Sequence, residues 1–366
     1  MTTRRDLLVT LAGLMAGNVA CAAIRPLDLD LDRGLVKIGF GSCVSQREEQ
    51  HIWSSILEKQ PDLFLLLGDG VYPEHEGEEL PVLESIERAY AHAATRQEMA
   101  DFRSKVKTVA MWDDNDYGGS DIGKTFAHKQ RSRDLFLDFW CDEIEAEIRR
   151  RDSGIYGLWE FGKADRRIQL IVPDLRYSRS EWAQTEESVH KELGDSGFGP
   201  YKPLLGDNVS MLGEQQWSWL ESCLKRPAHL RIIVSSIQLI PEGRGWESWS
   251  NFPAEKQKLF ELIDSAAAEG VIIVSGDSHY GEVSYDAATG IGYPLWEITS
   301  SGMTEVWPVP GPNPARVGPA YPVRNFGLIT VNWLTKDPII VTELFDDNGD
   351  RLRQLSLQLS SLRRNS

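Results

Sequence analysis

The chain has 366 residues, 41% of them hydrophobic and 26% charged, enough for a sizeable core in one large domain. Its net charge of −16 sets the body against nucleic-acid backbones and anionic membrane surfaces, and no apolar run is long enough to span a bilayer. A phosphate-bearing ligand would be repelled as well, unless cations inside a site reverse the local field.

Residues 1–22 read MTTRRDLLVTLAGLMAGNVACA, with paired arginines (Arg4, Arg5), a mild apolar stretch and small residues around Ala20. This pattern predicts a cleaved export signal of the twin-arginine kind, with the twin-arginine translocase as a transient partner and a periplasmic or secreted destination. The alternative readings are a lipidation site at Cys21 and a short N-terminal helix. A route that carries folded protein suits a protein that acquires metal before export. Cleavage would leave Cys43, Cys141 and Cys223, an odd number for an oxidising compartment.

From there the pattern alternates. A strand is expected at Val36–Phe40, a helix at Glu48–Lys59, a strand at Leu63–Leu67, a helix near Leu83–Thr95 and a strand at Thr108–Met111. A long amphipathic helix follows over His128–Arg150, placing Leu137, Cys141, Ile144 and Ile148 on one apolar stripe. Strands at Ile155–Phe161 and Arg167–Val172 precede a Gly- and Pro-rich loop and a helix opening at MLGEQQWSWL, in which Cys223 reads as a packed core thiol. A strand at Arg231–Ser235, a helix from NFPAEKQ to Gly270 and the strand VIIVS come next. Beyond Glu282 only strands are expected: Glu282–Tyr285, Leu295–Thr299, Gly327–Asn332, Ile339–Leu344 and Leu352–Leu359, with hairpin turns at 286–290 and 346–350. Alternation followed by hairpins implies two sheets packed face to face with helices outside. The Pro-rich stretch 306–322 is too short for an interdomain linker and reads as cover for a site mouth.

Strand ends carry the chemistry. Cys43, then Asp69 with Tyr72, then Asp113, Asp114, Asn115 and Asp116, then Asp277 with His279, each follow directly on an apolar strand. In α/β sheets ligands bind beyond the carboxyl ends of strands. Carboxylates brought together there cannot all ionise without protonation or bound cations, and cations are the simpler resolution. A thiol and a phenol (Cys43, Tyr72) favour a transition ion such as iron, whereas carboxylate and amide oxygens favour calcium, magnesium or manganese. Asp69 stands between the two sets as the natural bridging residue. His51, His75, His92, His128, His190 and His229 have no ligand partners nearby in sequence and are assigned no chemistry.

The motifs FGSCVSQ, GDGVYPE, WDDNDYGGSD, VPDLRYSR, MLGEQQWSWL and SGDSHYGE, in this order between about residues 36 and 300, resemble the alkaline phosphatase D (PhoD-like) branch of the metallophosphatases. The resemblance implies an α/β fold, a four-layer αββα sandwich with two mixed sheets flanked by helices, as a single domain over residues 34–362. It implies an exported, metal-dependent phosphoric ester hydrolase that cleaves small-molecule phosphate mono- or diesters by a metal-activated hydroxide. Iron (Fe3+) would be held by Cys43, Asp69, Tyr72 and Asp277. Asp69, the WDDND segment (Asp113, Asp114, Asn115 and Asp116) and His279 would serve the calcium (Ca2+) or phosphate side, with Mn2+, Mg2+ or Zn2+ as other ions. Arg176 would stand at the substrate or behind the ligands, with a buried salt bridge as its other reading, and Trp246 and Trp249 would line the pocket or anchor their loop. Asn115 replaces a histidine, and Ser120 an asparagine, common in that family, and both bear on the second cation position. Against that family's pattern, no counterpart of the N-terminal β-sandwich of longer members is expected before the first strand, and a more open site would follow. Other readings are a phospholipid or nucleotide diesterase of phospholipase D-like specificity, and a catalytically impaired phosphate-binding member.

Overall fold

The computed structural model describes residues 29, 34–73, 82–163, 165–193 and 196–364. The expected export signal, with the Cys21 lipidation alternative, lies outside them. Strand β1 (Leu35–Gly41) pairs in parallel with β2 (Leu63–Leu67), and β2 with β3 (Lys107–Met111). On its other side β1 meets β12 (Asn325–Asn332) antiparallel, followed by β13 (Ile339–Asp346) and β14 (Arg351–Gln358), so the first sheet runs β14-β13-β12-β1-β2-β3. The second sheet runs β10-β11-β9-β8-β5-β4. Its middle strands β5 (Ile168–Val172), β8 (Leu230–Ser235), β9 (Val271–Ser275) and β11 (Leu295–Ser300) are parallel, and β4 (Gly157–Phe161) and β10 (Gly281–Asp286) close its edges antiparallel.

Composition explains this placement. LFLLL in β2 and VIIVS in β9 are apolar at nearly every position and buried throughout, as parallel strands covered on both faces must be. The edge strand β14 instead alternates toward solvent. Ile38, Leu65, Leu67, Val109 and Met111 of the first sheet share one core with Leu170, Ile232, Ile272, Val274 and Ile298 of the second. The two sheets are therefore packed on each other. Phe64, Leu66 and Ala110 turn to the opposite face of the first sheet. There they meet α1 (Ile52–Glu58), α2 (Val82–Ala93), α3 (Gln97–Lys105) and α5 (Lys129–Trp140) through Trp53, Ile86, Phe102 and Phe136. On the second sheet, α8 (Glu214–Leu224) and α9 (Pro253–Ser265) bury Trp219, Leu220, Leu259 and Ile263. Between these lie α4 (Asp114–Tyr117), α6 (Glu143–Arg149), α7 (Glu187–Leu193) and the short ribbon of β6 (Ala183–Gln184) with β7 (Tyr201–Lys202). The expected two-sheet sandwich with flanking helices is the observed fold.

Three local expectations are corrected. The helix expected over 128–150 is two helices, because the chain turns extended at Cys141 and Asp142 then caps α6 by accepting from the Glu145 backbone N–H at 2.9 Å. The apolar stripe dissolves with it: Ile144 is 57% exposed, and Cys141 is half-buried at the edge of the core, its thiol beside Glu145 and Arg149. Cys223 is fully buried as expected but disulfide-bonded, not a free thiol. Helix α3 falls between the expected helix near Leu83–Thr95 and the expected strand at Thr108–Met111, where no element was predicted; its apolar signal is carried by Met99 and Phe102 alone.

Candidate metal centre

All the parallel strands of both sheets deliver their carboxyl ends to one edge, and the chain leaves that edge through residues in strained conformations. Cys43, Asp69, Asp121, Asp277 and His279 all take positive φ, between 52° and 64°. For side-chain-bearing residues this costs on the order of 1 kcal/mol each and persists only where the surroundings impose it. Glycines make the approach possible. A Cβ on Gly68, just before Asp69, would stand 2.5 Å from Asp113 Cβ, and one on Gly276, just before Asp277, would stand 2.6 Å from Ser42 Oγ. The Gly-Asp pairs thus let β2 close on β3, and β9 close on β1, where each releases a carboxylate.

Four sets of ligand atoms gather there, each set within 4.8 Å: Cys43, Asp69 and His279; Asp69, Asp113 and Asp114; Asp113, Glu247 and Asp277; and Asp114, Asp121 and Glu247. Asp69 belongs to two of them, as do Asp113, Asp114 and Glu247. The Asp69 carboxylate accepts from Tyr72 Oη (3.1 Å) and from the backbone N–H and side-chain Nδ2 of Asn115 (3.2 and 3.1 Å). Asn115 Nδ2 also donates to Asp114 Oδ1 at 3.0 Å. Ser301, just past β11, joins Cys43 Sγ at 3.2 Å to the His279 backbone N–H at 2.8 Å. Gln46 exchanges two hydrogen bonds with the Tyr72 backbone and so sets the phenol.

Behind these groups Arg176, wholly buried, donates to Asp113 Oδ1 at 2.6 Å and to both oxygens of Glu247 at 2.6 and 2.7 Å. The second oxygen of Asp113 is buried with no hydrogen-bond partner. That unpartnered oxygen, the thiol–phenol–imidazole set and the crowding of acids fit bound cations.

The electrostatics agree. Burial, then the charges of Asp114, Cys43, Asp113 and Asp116, holds Asp69 well above the usual carboxylate range. Burial with Glu247 and Asp113 does the same to Asp277. Asp113 is pushed up to about 6 by burial in spite of Arg176, Asp116 to about 7, and Asp121 to about 8 by burial and Glu247. Burial raises the Cys43 thiol and lowers His279, which favours the neutral imidazole that a metal ligand requires. Glu247 goes the other way: burial opposes its charge, but Arg176 holds it below the usual range.

A pH dependence follows. With carboxyl pKa values above the unfolded value of about 4, the folded metal-free chain holds more protons than the unfolded one between about pH 4 and pH 8. Its stability is then greatest at the acid end and falls as pH rises through the window. The melting midpoint of chelator-treated protein should drop across this range, and Mn2+-loaded protein should lose much of that slope; equal slopes would contradict the assignment.

A cavity of about 370 Å³ opens on the cluster, lined by Asp69, Tyr72, Asp114, Asn115, Asp277 and His279 among others. Ser120 lines it too, and so do Trp307, Val309 and Gly311 of the Pro-rich stretch. The grouping differs from that expected in one respect: His279 stands with Cys43 and Asp69, and Asp277 with Asp113 and Glu247. Arg176 takes its salt-bridge reading and does not line the cavity. Trp246 lines the cavity, whereas Trp249 is core, 1% exposed and packed edge-on to Trp217. Asp116 is a capping and bracing group, accepting from the Gly70 and Asp113 backbone N–H groups. Sequence reasoning missed Glu247 and Asp121. Asp121 lay inside the WDDNDYGGSD motif and could have been found there; Glu247, between two tryptophans, offered only an acid in an apolar loop.

A family model described as PhoD-like phosphatase matches residues 38–315. Alkaline phosphatase D of Bacillus subtilis (strain 168) is 19% identical over 274 residues, covering 66% of this chain and 45% of that protein, so the match spans less than half of the relative's length. A solved structure of PhoD superposes with a TM-score of 0.58 at 15% identity, over 91% of this chain and 73% of its own. GAP50 of Plasmodium, described as the anchor in the inner membrane complex, superposes with a TM-score of 0.52 at 12% identity, over 88% of this chain and 89% of its own. At such identities the two structures bear on the fold.

Proposed function

The chain belongs to the PhoD-like phosphatase family, and on that premise we propose that it is an exported, metal-dependent phosphoesterase hydrolysing small-molecule phosphate mono- or diesters. The observation that carries this reading is the cavity itself. Five carboxyl side chains, those of Asp69, Asp114, Asp121, Glu247 and Asp277, line it beside a phenol and a neutral imidazole. A dianionic ester enters such a place only if cations are there first.

Cys43, Asp69, Tyr72 and His279 would hold the softer ion and Asp69, Asp113, Asp114 and Asp277 the harder one, with iron and calcium the pair their donor chemistry favours. When bound, the ions supply Lewis acidity, a water of lowered pKa and charge neutralisation for the phosphoryl oxygens. The protein's part is preorganisation. Asn115 fixes the Asp69 and Asp114 carboxylates, Arg176 fixes Asp113 and Glu247, and Ser301 ties the Cys43 and His279 loops together. Hydrolysis then forms one P–O bond from water and breaks the ester P–O bond, releasing the alcohol. Export rests on residues 1–22, with their paired arginines and apolar stretch.

Turnover of a phosphate monoester, a nucleotide diester and a phospholipid should be measured side by side with and without chelator. Hydrolysis of at least one, lost on chelation and in Cys43→Ala and Asp277→Ala variants, is the expected result. Unchanged turnover in those variants, or phosphate binding without turnover at any metal supplement, would contradict the proposal.

A further inference from the structure

Among the described residues lining the cavity, Arg244 is the one arginine or lysine. It is 3% exposed, its Nε and Nη1 have no hydrogen-bond partner, and no ion pair involves it among the described residues. Five carboxyl groups share the cavity with it, yet none stands within ion-pair distance of it. Its guanidinium carbon lies 5.7 Å from the centroid of the Tyr280 ring, a cation–π contact that leaves Nε and Nη1 without acceptors. The backbone holds it there. Gly243 and Gly245 on either side take φ of 70° and 72°, and the Arg244 carbonyl accepts from the Gly199 backbone N–H at 2.9 Å. A Cβ on Gly245 would stand 2.6 Å from the Gly199 carbonyl oxygen, so the two loops are locked together.

Two residues on, Trp246 is pinned by its Nε1–H donating to the Gly197 carbonyl at 3.0 Å. It meets Trp307 with ring centroids 5.5 Å apart and planes at 65°. Trp307 is 45% exposed, and its backbone N–H donates to the His279 carbonyl at 2.9 Å, which ties it to the metal-centre loop. Two indoles at this angle form a corner, not a slot: a flat group can lie on one ring while abutting the other.

We propose that Arg244, Trp246 and Trp307 form a substrate subsite, in which the guanidinium takes a phosphate oxygen and the indole corner takes a planar aromatic or heteroaromatic group on the leaving oxygen. The proposal deepens the phosphoesterase reading and rests on it. Unpaired buried guanidinium is costly, and a phosphate offers the geometry its fork matches. The substrate class is then an aryl, arylmethyl or nucleoside phosphate ester rather than a purely aliphatic one.

The test uses Mn2+-loaded full chain and two readouts. Binding of inorganic phosphate by calorimetry should weaken about ten- to a hundredfold in Arg244→Met, with Arg244→Lys between, the scale of losing charge-assisted hydrogen bonds. The melting midpoint of Arg244→Met should hold or rise, because an unpaired buried charge is removed. Phosphate affinity within twofold of wild type, or a clear fall in the midpoint, would make Arg244 a structural residue and overturn its assignment. For the corner, benzyl phosphate and cyclohexylmethyl phosphate differ in planarity but little in leaving-group chemistry. The ratio of their kcat/KM should fall about two- to tenfold in Trp307→Ala, and an unchanged ratio would overturn it. Wild-type protein that hydrolyses neither ester would instead count against the phosphoesterase reading, while the calorimetry still decides Arg244.

Discussion

Replacing Asp69 by Asn is expected to lower kcat/KM on any phosphate ester the protein hydrolyses by about three orders of magnitude, equivalent to several kcal/mol of lost charge stabilisation. Asn is the chosen substitute because residue 69 has φ of 52°, a left-handed conformation that Asn tolerates, so the loop should fold. What changes is the shared charge. Asp69 alone appears in both the Cys43–His279 set and the Asp113–Asp114 set, and it accepts from Tyr72 and Asn115 as well. An amide in its place removes half of those acceptors and the anion that two cations would share. The folded state should meanwhile gain stability in the metal-free form, since a carboxyl held well above its usual range is no longer forced into the cluster. Activity within tenfold of wild type would show that Asp69 does not bridge the chemistry.

Arg176→Met should cost about 3–5 kcal/mol of stability, the penalty for removing one partner of a buried ion pair. Its guanidinium is the counter-charge of both Asp113 and Glu247, each buried, and Met supplies neither charge nor donor. Arg176→Lys should recover part of this but not all, because an ammonium cannot make the two-pronged contact with Glu247. Urea midpoints on metal-free protein measure the loss without interference from bound ions. A shift below about 1 kcal/mol would mean that Asp113 and Glu247 are already neutralised by protonation, and that Arg176 is dispensable to the scaffold.

The architecture was legible in the sequence because its central strands are uniformly apolar and stop abruptly. LFLLL before Gly68-Asp69 and VIIVS before Gly276-Asp277 mark both the sheet and its ligand edge. The glycine in each pair marks where two strand ends crowd. Less legible was everything decided by long-range packing. Glu247 and Arg244 lie in a loop with no periodicity, and only the fold carries them to strand ends distant in sequence. Trp246 and Trp249 look alike in the sequence, yet one faces the cavity and the other the core. The stripe through Cys141 failed for a different reason: the capping preference of Asp142 competes with helical periodicity and wins. The order of Asp277 and His279 within the cluster was likewise invisible, since two residues apart on a turn with positive φ at both can face different neighbours.

The most direct test is elemental analysis of the full chain purified without chelator, alongside Asp69→Asn. About two bound cations per wild-type chain are expected, at least one of transition-metal type, with loss of one or both in the variant. Wild-type protein that carries no cation and takes up none on dialysis against Fe2+, Mn2+ or Ca2+ would contradict this expectation.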